Sequence, residues 1–153
     1  MIIEGTGAIL NNEMDDFSVQ PGVPNIYDLV GAEANSIAPQ KRLLSSISPT
    51  ILVKDGQTFM VIDSPGGPRI ITTVVQAIIN VIDYGMDIPS AVDAPRIHHQ
   101  WRPNKLRVEA EYPIDTSITL LNLGHHVEQK GSWSLAHGII FETNTGILEY
   151  ESP

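Results

Sequence analysis

Apolar positions along the chain fall into runs of different period, and the periods predict the elements. Thr50-Ile51-Leu52-Val53 and Thr58-Phe59-Met60-Val61-Ile62 are short runs rich in β-branched and aromatic residues. Lys54-Asp55-Gly56-Gln57 separates them, and Asp-Gly between two such runs is a strong hairpin signal. From Arg69 to Tyr84 the period becomes 3.6 residues, that of a helix. Ile70, Ile71, Val74, Val75, Ile78, Val81 and Ile82 fall on its apolar face, while Thr72, Thr73, Gln76, Asn80 and Asp83 lie mostly opposite. Pro68 suits the first turn of this helix and Gly85 its C-terminal cap. A short helix is expected from Pro89 to about Ala94, and a strand at Leu106-Arg107-Val108-Glu109. Asp115 is the expected cap of a third helix that ends near Gly124. Two last strands, near Gly138–Phe141 and Ile147–Tyr150, flank Asn144-Thr145-Gly146 as a hairpin. Hairpins and helices mix without β-α-β alternation, which predicts an α+β fold with mainly antiparallel strands.

One segment lacks such a pattern. Gln20-Pro21-Gly22-Val23-Pro24-Asn25 is punctuated by Pro and Gly, and no period emerges up to Arg42, so a long loop is expected over 18–42. The 153 residues fit a single domain over 1–153. With 42% apolar and 18% charged residues the composition is that of a globular chain. A formal charge of −9 without any basic run disfavours nucleic-acid partners. No stretch approaches the roughly 20 apolar residues of a membrane-spanning helix. Absence of Cys removes disulfides, thiolate nucleophiles and Cys-type zinc sites together.

Three clusters carry candidate chemistry. In Asn11-Asn12-Glu13-Met14-Asp15-Asp16-Phe17-Ser18, three carboxylates stand beside two amides, a set suited to a cation or a ligand ammonium. A solvated acidic turn explains it equally, and calcium in an EF-hand geometry is excluded because the sixth and twelfth loop positions are Asp16 and Gly22. Leu44-Ser45-Ser46-Ile47-Ser48-Pro49-Thr50 offers adjacent hydroxyls to a carboxylate, or is an ordinary loop. Ser64-Pro65-Gly66-Gly67-Pro68 lies between a strand and a helix N-terminus, where backbone N–H groups can stabilise an oxyanion; a tight turn is the simpler account. His98-His99 and His125-His126 are adjacent pairs that suit chelation poorly, so no metal site is expected.

Together these segments resemble the small subunit of γ-glutamyltranspeptidase, also called glutathione hydrolase. The likeness joins the acidic cluster, Pro21-Gly22-Val23-Pro24-Asn25, Lys41-Arg42, Leu44-Ser45-Ser46 and Ser48-Pro49-Thr50. It continues through Ser64-Pro65-Gly66-Gly67, Arg69-Ile70-Ile71-Thr72-Thr73 and Pro95-Arg96 with His98-His99-Gln100-Trp101. The resemblance implies part of an N-terminal-nucleophile hydrolase, an αββα sandwich with mainly antiparallel sheets. Such an enzyme cuts itself into two subunits, and its new N-terminal Thr attacks the γ-glutamyl amide of glutathione. The acyl group then passes to water, an amino acid or a peptide. By the same resemblance, Glu13 and Asp16 contact the α-ammonium of the substrate, and Ser45 and Ser46 its α-carboxylate. The N–H groups of Gly66 and Gly67 form the oxyanion hole, and Pro21 to Gly31 is the lid loop with Tyr27 its aromatic. No cofactor is implied. Relatives are commonly periplasmic, secreted or surface-anchored, which implies a periplasmic or extracellular setting.

The family's nucleophilic Thr, the Thr and Asn that follow it, and the large subunit are expected to lie outside this chain. Thr72 and Thr73 sit in a predicted helix, and an N-terminal amine-assisted Thr is what this chemistry requires. Alone the chain is therefore expected to be silent. Without its first strands the sheet should expose an edge and apolar surface, which predicts self-association or a partner that supplies the rest. Two rival readings are a non-catalytic glutamate- or γ-glutamyl-binding or assembly domain, and a metal-dependent hydrolase built on the acidic cluster and histidines.

Overall fold

The computed structural model describes residues 3–133, 135–142 and 147–151. Where one domain is expected over 1–153, contacts cluster into two compact units, Met1–Ser45 and Ser46–Pro153. The second unit holds the regular structure. Strands β1 (Thr50–Lys54), β2 (Gln57–Asp63), β6 (His137–Glu142) and β7 (Ile147–Glu151) form an antiparallel sheet in the order β1-β2-β6-β7. Strands β3 (Ile97–His98), β4 (Leu106–Glu109) and β5 (Val127–Lys130) form a second, smaller sheet. Helices α1 (Ile70–Ile82), α2 (Ile88–Asp93) and α3 (Ile114–Asn122) complete the unit.

The first hairpin turns at Asp55 and Gly56, whose φ angles of 52° and 78° suit the Asp-Gly pair. Its register slips at Phe59: Leu52 faces Met60 but Val53 faces Thr58. That bulge restores Met60 and Ile62 to the inner face, where both are fully buried. Ile70, Val74, Ala77 and Val81 of α1 belong to the same core, with Ile88, Ala91 and Val92 of α2 and Ile140 of β6. Each fully buried aliphatic side chain contributes about 1.5–3 kcal/mol relative to an exposed one. Packing is close where Gly138 meets α2, since a Cβ there would run into Ile88.

Several expectations change in detail. The apolar face of α1 is narrower than its period suggests: Ile71, Val75 and Ile82 are about half exposed, whereas Thr73 and Ala77 are buried. The helix carries two adjacent apolar stripes, and a 3.6-residue period cannot tell which one meets the sheet. Asp115 does not cap α3. Pro113 holds that place, its carbonyl accepting the Ser117 N–H at 3.0 Å, and Asp115 lies in the first turn. α2 begins at Ile88, one residue earlier than expected, because Asp87 caps it by accepting the Ser90 N–H at 2.8 Å. Hydrogen bonding from the Ser90 side chain first, and from this N–H second, holds the Asp87 carboxyl below its ordinary value. The expected turn at Asn144-Thr145-Gly146 lies outside the described residues.

One β-α-β unit stands where no such alternation is expected: β4 and β5 pair in parallel, with α3 between them in sequence. The short, polar Val127-Glu128-Gln129-Lys130 gives no strand signal, yet Glu128 gathers Lys105, Arg107 and Lys130 within 3.2–3.7 Å. β3 is two residues long and escapes any periodic test.

A buried ion pair ties the end of β4 to the residue that precedes β3. Arg96 donates to Glu109 through Nε at 3.1 Å and through its backbone N–H at 2.9 Å. The other oxygen of Glu109 accepts the Ser132 hydroxyl and the Trp133 N–H at 3.3 and 3.2 Å. Glu109→Ala should therefore cost about 3–5 kcal/mol, since it strands the buried guanidinium. Urea unfolding checks this, and a loss below 1 kcal/mol would show that the pair is not held as described.

Candidate functional site

In the first unit the acidic cluster forms a turn of 3-10 helix, Glu13–Asp16. Asn11 starts it by accepting the Glu13 N–H at 3.2 Å, and the buried Phe17 ends it. Glu13 and Asp15 crowd the same turn as Asp16. Partial burial first, then the charges of Glu13 and Asp15, raise the Asp16 carboxyl above its ordinary value. A cation placed among these groups would relieve the repulsion and favour the ionised form.

Asn35, which the sequence reading passes over, organises this unit. Its Nδ2 donates to the Asp16 carbonyl at 2.7 Å and its Oδ1 accepts the Leu44 N–H at 3.1 Å. One side chain thus spans the acidic turn and the stretch that enters Ser45. A single Asn between Ala34 and Ser36 carries no periodic or motif signal by which to find it.

The segment expected as a long loop contains no α-helix or β-strand among its described residues, but it is tied internally. The Asn25 side chain accepts the N–H groups of Tyr27 and Leu29 at 2.9 and 3.1 Å. Backbone bonds run from Asn25 N–H to the Leu29 carbonyl and from Gly22 N–H to the Gly31 carbonyl, at 2.9 and 2.8 Å. Tyr27 therefore stands half-buried at the head of a closed loop. At its base, Ser18 packs so tightly on Gly31 that any Cβ there would collide with it.

The remaining candidates belong to the second unit, which starts at Ser46; Ser45 is the last residue of the first. Ser46 is half-buried, and its carbonyl accepts the Ser48 hydroxyl at 3.0 Å. After β2 the chain turns through Ser64, which is buried and donates to the Pro65 carbonyl at 2.8 Å. Gly66 and Gly67 follow at φ 137° and 58°, successive conformations that residues with a Cβ rarely adopt. A short 3-10 turn, Gly67–Arg69, then leads into α1, and the Arg69 N–H reaches the Gly66 carbonyl at 3.3 Å. Both glycines thus sit where a helix N-terminus concentrates unsatisfied N–H groups. Pro68 contributes no N–H of its own there. The Arg69 guanidinium lies 5.8 Å from the ring of Trp133, a second residue without a sequence signal. Thr72 and Thr73 lie inside α1, as expected.

Among the described residues, no three His, Asp or Glu side chains converge to hold a metal ion. A cleft of about 260 Å³ in the second unit is lined by Val92, Arg96, Glu109 and Leu135 among others, and contains none of the candidate residues. No described helix is long and apolar enough to cross a membrane.

Comparison with known proteins shows the family. The family model described as Gamma-glutamyltranspeptidase matches residues 1–152. The glutathione hydrolase proenzyme of Escherichia coli is 53% identical over 135 residues, covering 88% of this chain and 23% of the relative. A mutant γ-glutamyltranspeptidase of Helicobacter pylori superposes with a TM-score of 0.92 at 47% identity, over 99% of this chain and 83% of that one. The enzyme of Pseudomonas nitroreducens gives a TM-score of 0.87 at 38% identity, over 99% and 80% of the two chains. The chain spans a quarter or less of the first curated relatives it matches. The mixed α+β architecture with mainly antiparallel strands is that of the N-terminal-nucleophile hydrolase fold seen in γ-glutamyltranspeptidase structures. With a family match along residues 1–152 and curated relatives 40–54% identical, the chain belongs to the γ-glutamyltranspeptidase family.

Proposed function

We propose that this chain is the substrate-holding C-terminal portion of a γ-glutamyltranspeptidase small subunit. Its parent enzyme cleaves the γ-glutamyl amide of glutathione and related compounds and passes the acyl group to water or an amino acid. Glu13 and Asp16 hold the substrate's α-ammonium, and Ser45 and Ser46 its α-carboxylate. Tyr27 belongs to a lid over this end of the substrate. A Thr from a segment outside this chain attacks the γ-carbonyl carbon, and the carbonyl oxygen takes up negative charge. The N–H groups of Gly66 and Gly67 donate to that oxygen, then the C–N bond breaks and the amine leaves with a proton. Water or an amine repeats the addition on the resulting ester. The observation that carries this reading is the Gly66–Gly67 turn at the head of α1, whose successive positive φ angles set two backbone N–H groups at a helix N-terminus, a place that favours negative charge.

The large subunit and the earlier part of the small subunit are the proposed partners. The first sheet supports this. Ile51, Val61, Ile139 and Tyr150 stand in register across its outer face, and Ile51, Ile139 and Tyr150 are 64%, 40% and 74% exposed. Phe141 and Leu148 extend the same face. Such a patch calls for a covering layer.

Two outcomes are expected. In a full-length proenzyme carrying this segment, Asp16→Asn should lower kcat/KM for a γ-glutamyl anilide roughly 10- to 150-fold, the loss of one charged hydrogen bond. Because Asp16 titrates from above the ordinary carboxylate value, KM should rise on acidification earlier than for an unperturbed Asp, and the variant should lack that limb. A change within twofold would reject the ammonium contact. The isolated chain should give no turnover and, in light scattering, a mass above its 16.7 kDa monomer; a stable monomer would argue that the sheet face needs no cover.

A further inference from the structure

The N-terminal half of α1 is laced to β3 by side chains that the mechanism above does not use. Gln76 donates from Nε2 to the carbonyls of Thr72 and Ile97 at 2.7 and 2.8 Å, and its Oε1 accepts the Ile97 N–H at 2.9 Å. One turn earlier, the Thr72 hydroxyl lies 3.0 Å from the Arg69 carbonyl and 2.9 Å from Nδ1 of His98, which is 3% exposed. Nε2 of His98 faces Oε1 of Gln100 at 2.9 Å, and the Gln100 amide is oriented by its own bond to the Arg102 carbonyl at 3.0 Å.

Counting protons along this chain shows a conflict. The Gln100 oxygen can only accept, so Nε2 must carry a proton. In a neutral ring Nδ1 is then an acceptor, and it competes with the Arg69 carbonyl for the single Thr72 hydroxyl proton. In the imidazolium both ring nitrogens donate. Nδ1–H then serves the Thr72 oxygen, the Thr72 proton is released to Arg69, and every bond is made at once. The Arg69 N–H in turn closes on the Gly66 carbonyl.

We propose that His98 is a protonation-sensitive positioning residue for the Gly66–Gly67 turn, acting through the Thr72 hydroxyl and the Arg69 carbonyl. Its catalytic meaning rests on the oxyanion role assigned to those glycines; the mechanical coupling does not. Burial holds the imidazole below its ordinary value of 6.5, the Gln100 bond opposes this, and electrostatic repulsion from Arg69, Arg107 and His99 adds to the depression. Arg107 is itself paired to Glu128 of β5 at 3.6 Å. The ring is therefore neutral, and the network one proton short, at neutral pH. The folded state binds this proton less readily than the unfolded chain, so global stability falls as the pH drops below 6.5 toward the depressed value, even as the local network completes.

The test is NMR on the 15N-labelled chain between pH 8 and 5, reading the imidazole nitrogens of His98 and the amides of Gly66, Gly67 and Arg69. The three amides should shift with the His98 midpoint, below 6.5. Thr72→Val should leave His98 titrating while the glycine amides become flat, and Thr72→Ser, which keeps the hydroxyl, should restore the coupling. Glycine amides that ignore the His98 titration, or that still follow it in Thr72→Val, overturn the proposal, as does a His98 that stays neutral down to pH 5. If the coupling holds but kcat of the complete enzyme shows no His98-linked limb, the oxyanion reading of the glycines fails instead.

Discussion

Helix α1 is gripped from two sides, and the placement of the glycine turn at its head depends on that grip. Ile70, Val74, Ala77 and Val81 press against the inner face of the first sheet, where Met60 and Ile62 have no exposed surface to spare. Gln76 meanwhile takes the place of a neighbouring strand for Ile97, giving and receiving the bonds a peptide group would. Apolar burial resists displacement of the helix away from the sheet but is indifferent to small rotations about its axis. Directional bonds from Thr72 and Gln76 resist rotation. The glycine turn at the head of the helix inherits both constraints, which is what a fixed pair of backbone dipoles requires.

The first unit solves its positioning problem without a core of comparable size. Phe17 is its buried apolar anchor, and the rest of its order comes from amide side chains that substitute for missing secondary structure. Asn25 closes the loop around Tyr27, and Asn35 holds Asp16 and Leu44 to a common side chain. Few buried contacts and many exposed backbone bonds give such a unit a low cost of local opening. On the proposed reading that suits a loop that admits a substrate, just as the buried helix suits a glycine turn that stays fixed during the reaction.

How far this could be read from the chain follows from the same contrast. The first hairpin was legible because Asp55-Gly56 names its own turn, and α1 because its period runs over three turns. The start of α1 was legible through Pro68, which stands in the 3-10 turn that leads into it. What stayed hidden was whatever depends on tertiary company. Thr73 is buried and Ile71 exposed because of where the sheet lies, not because of either residue. β3 and β5 exist because β4 offers them an edge, and β5 is polar because Glu128 finds three cations there. Asn35, Gln76 and His98 act through bonds to residues 9 to 26 positions away, a range at which no local pattern speaks.

The acidic turn carries a tension that bears on how a clamp of this kind would work. Carboxylates packed into one turn attract an ammonium group, but before it arrives they repel each other, and Asp16 responds by holding its proton more tightly. Binding of a cation and release of that proton are then linked: the cation favours ionised Asp16, and protonated Asp16 disfavours the cation. A lone carboxylate would avoid the conflict but offer weaker attraction in a solvent-exposed setting, where a single surface pair is worth about 0–1 kcal/mol. Crowding three acids trades a higher proton affinity for a stronger field. The trade works only above the raised Asp16 value, so on the proposed reading the clamp is built for neutral rather than acidic surroundings.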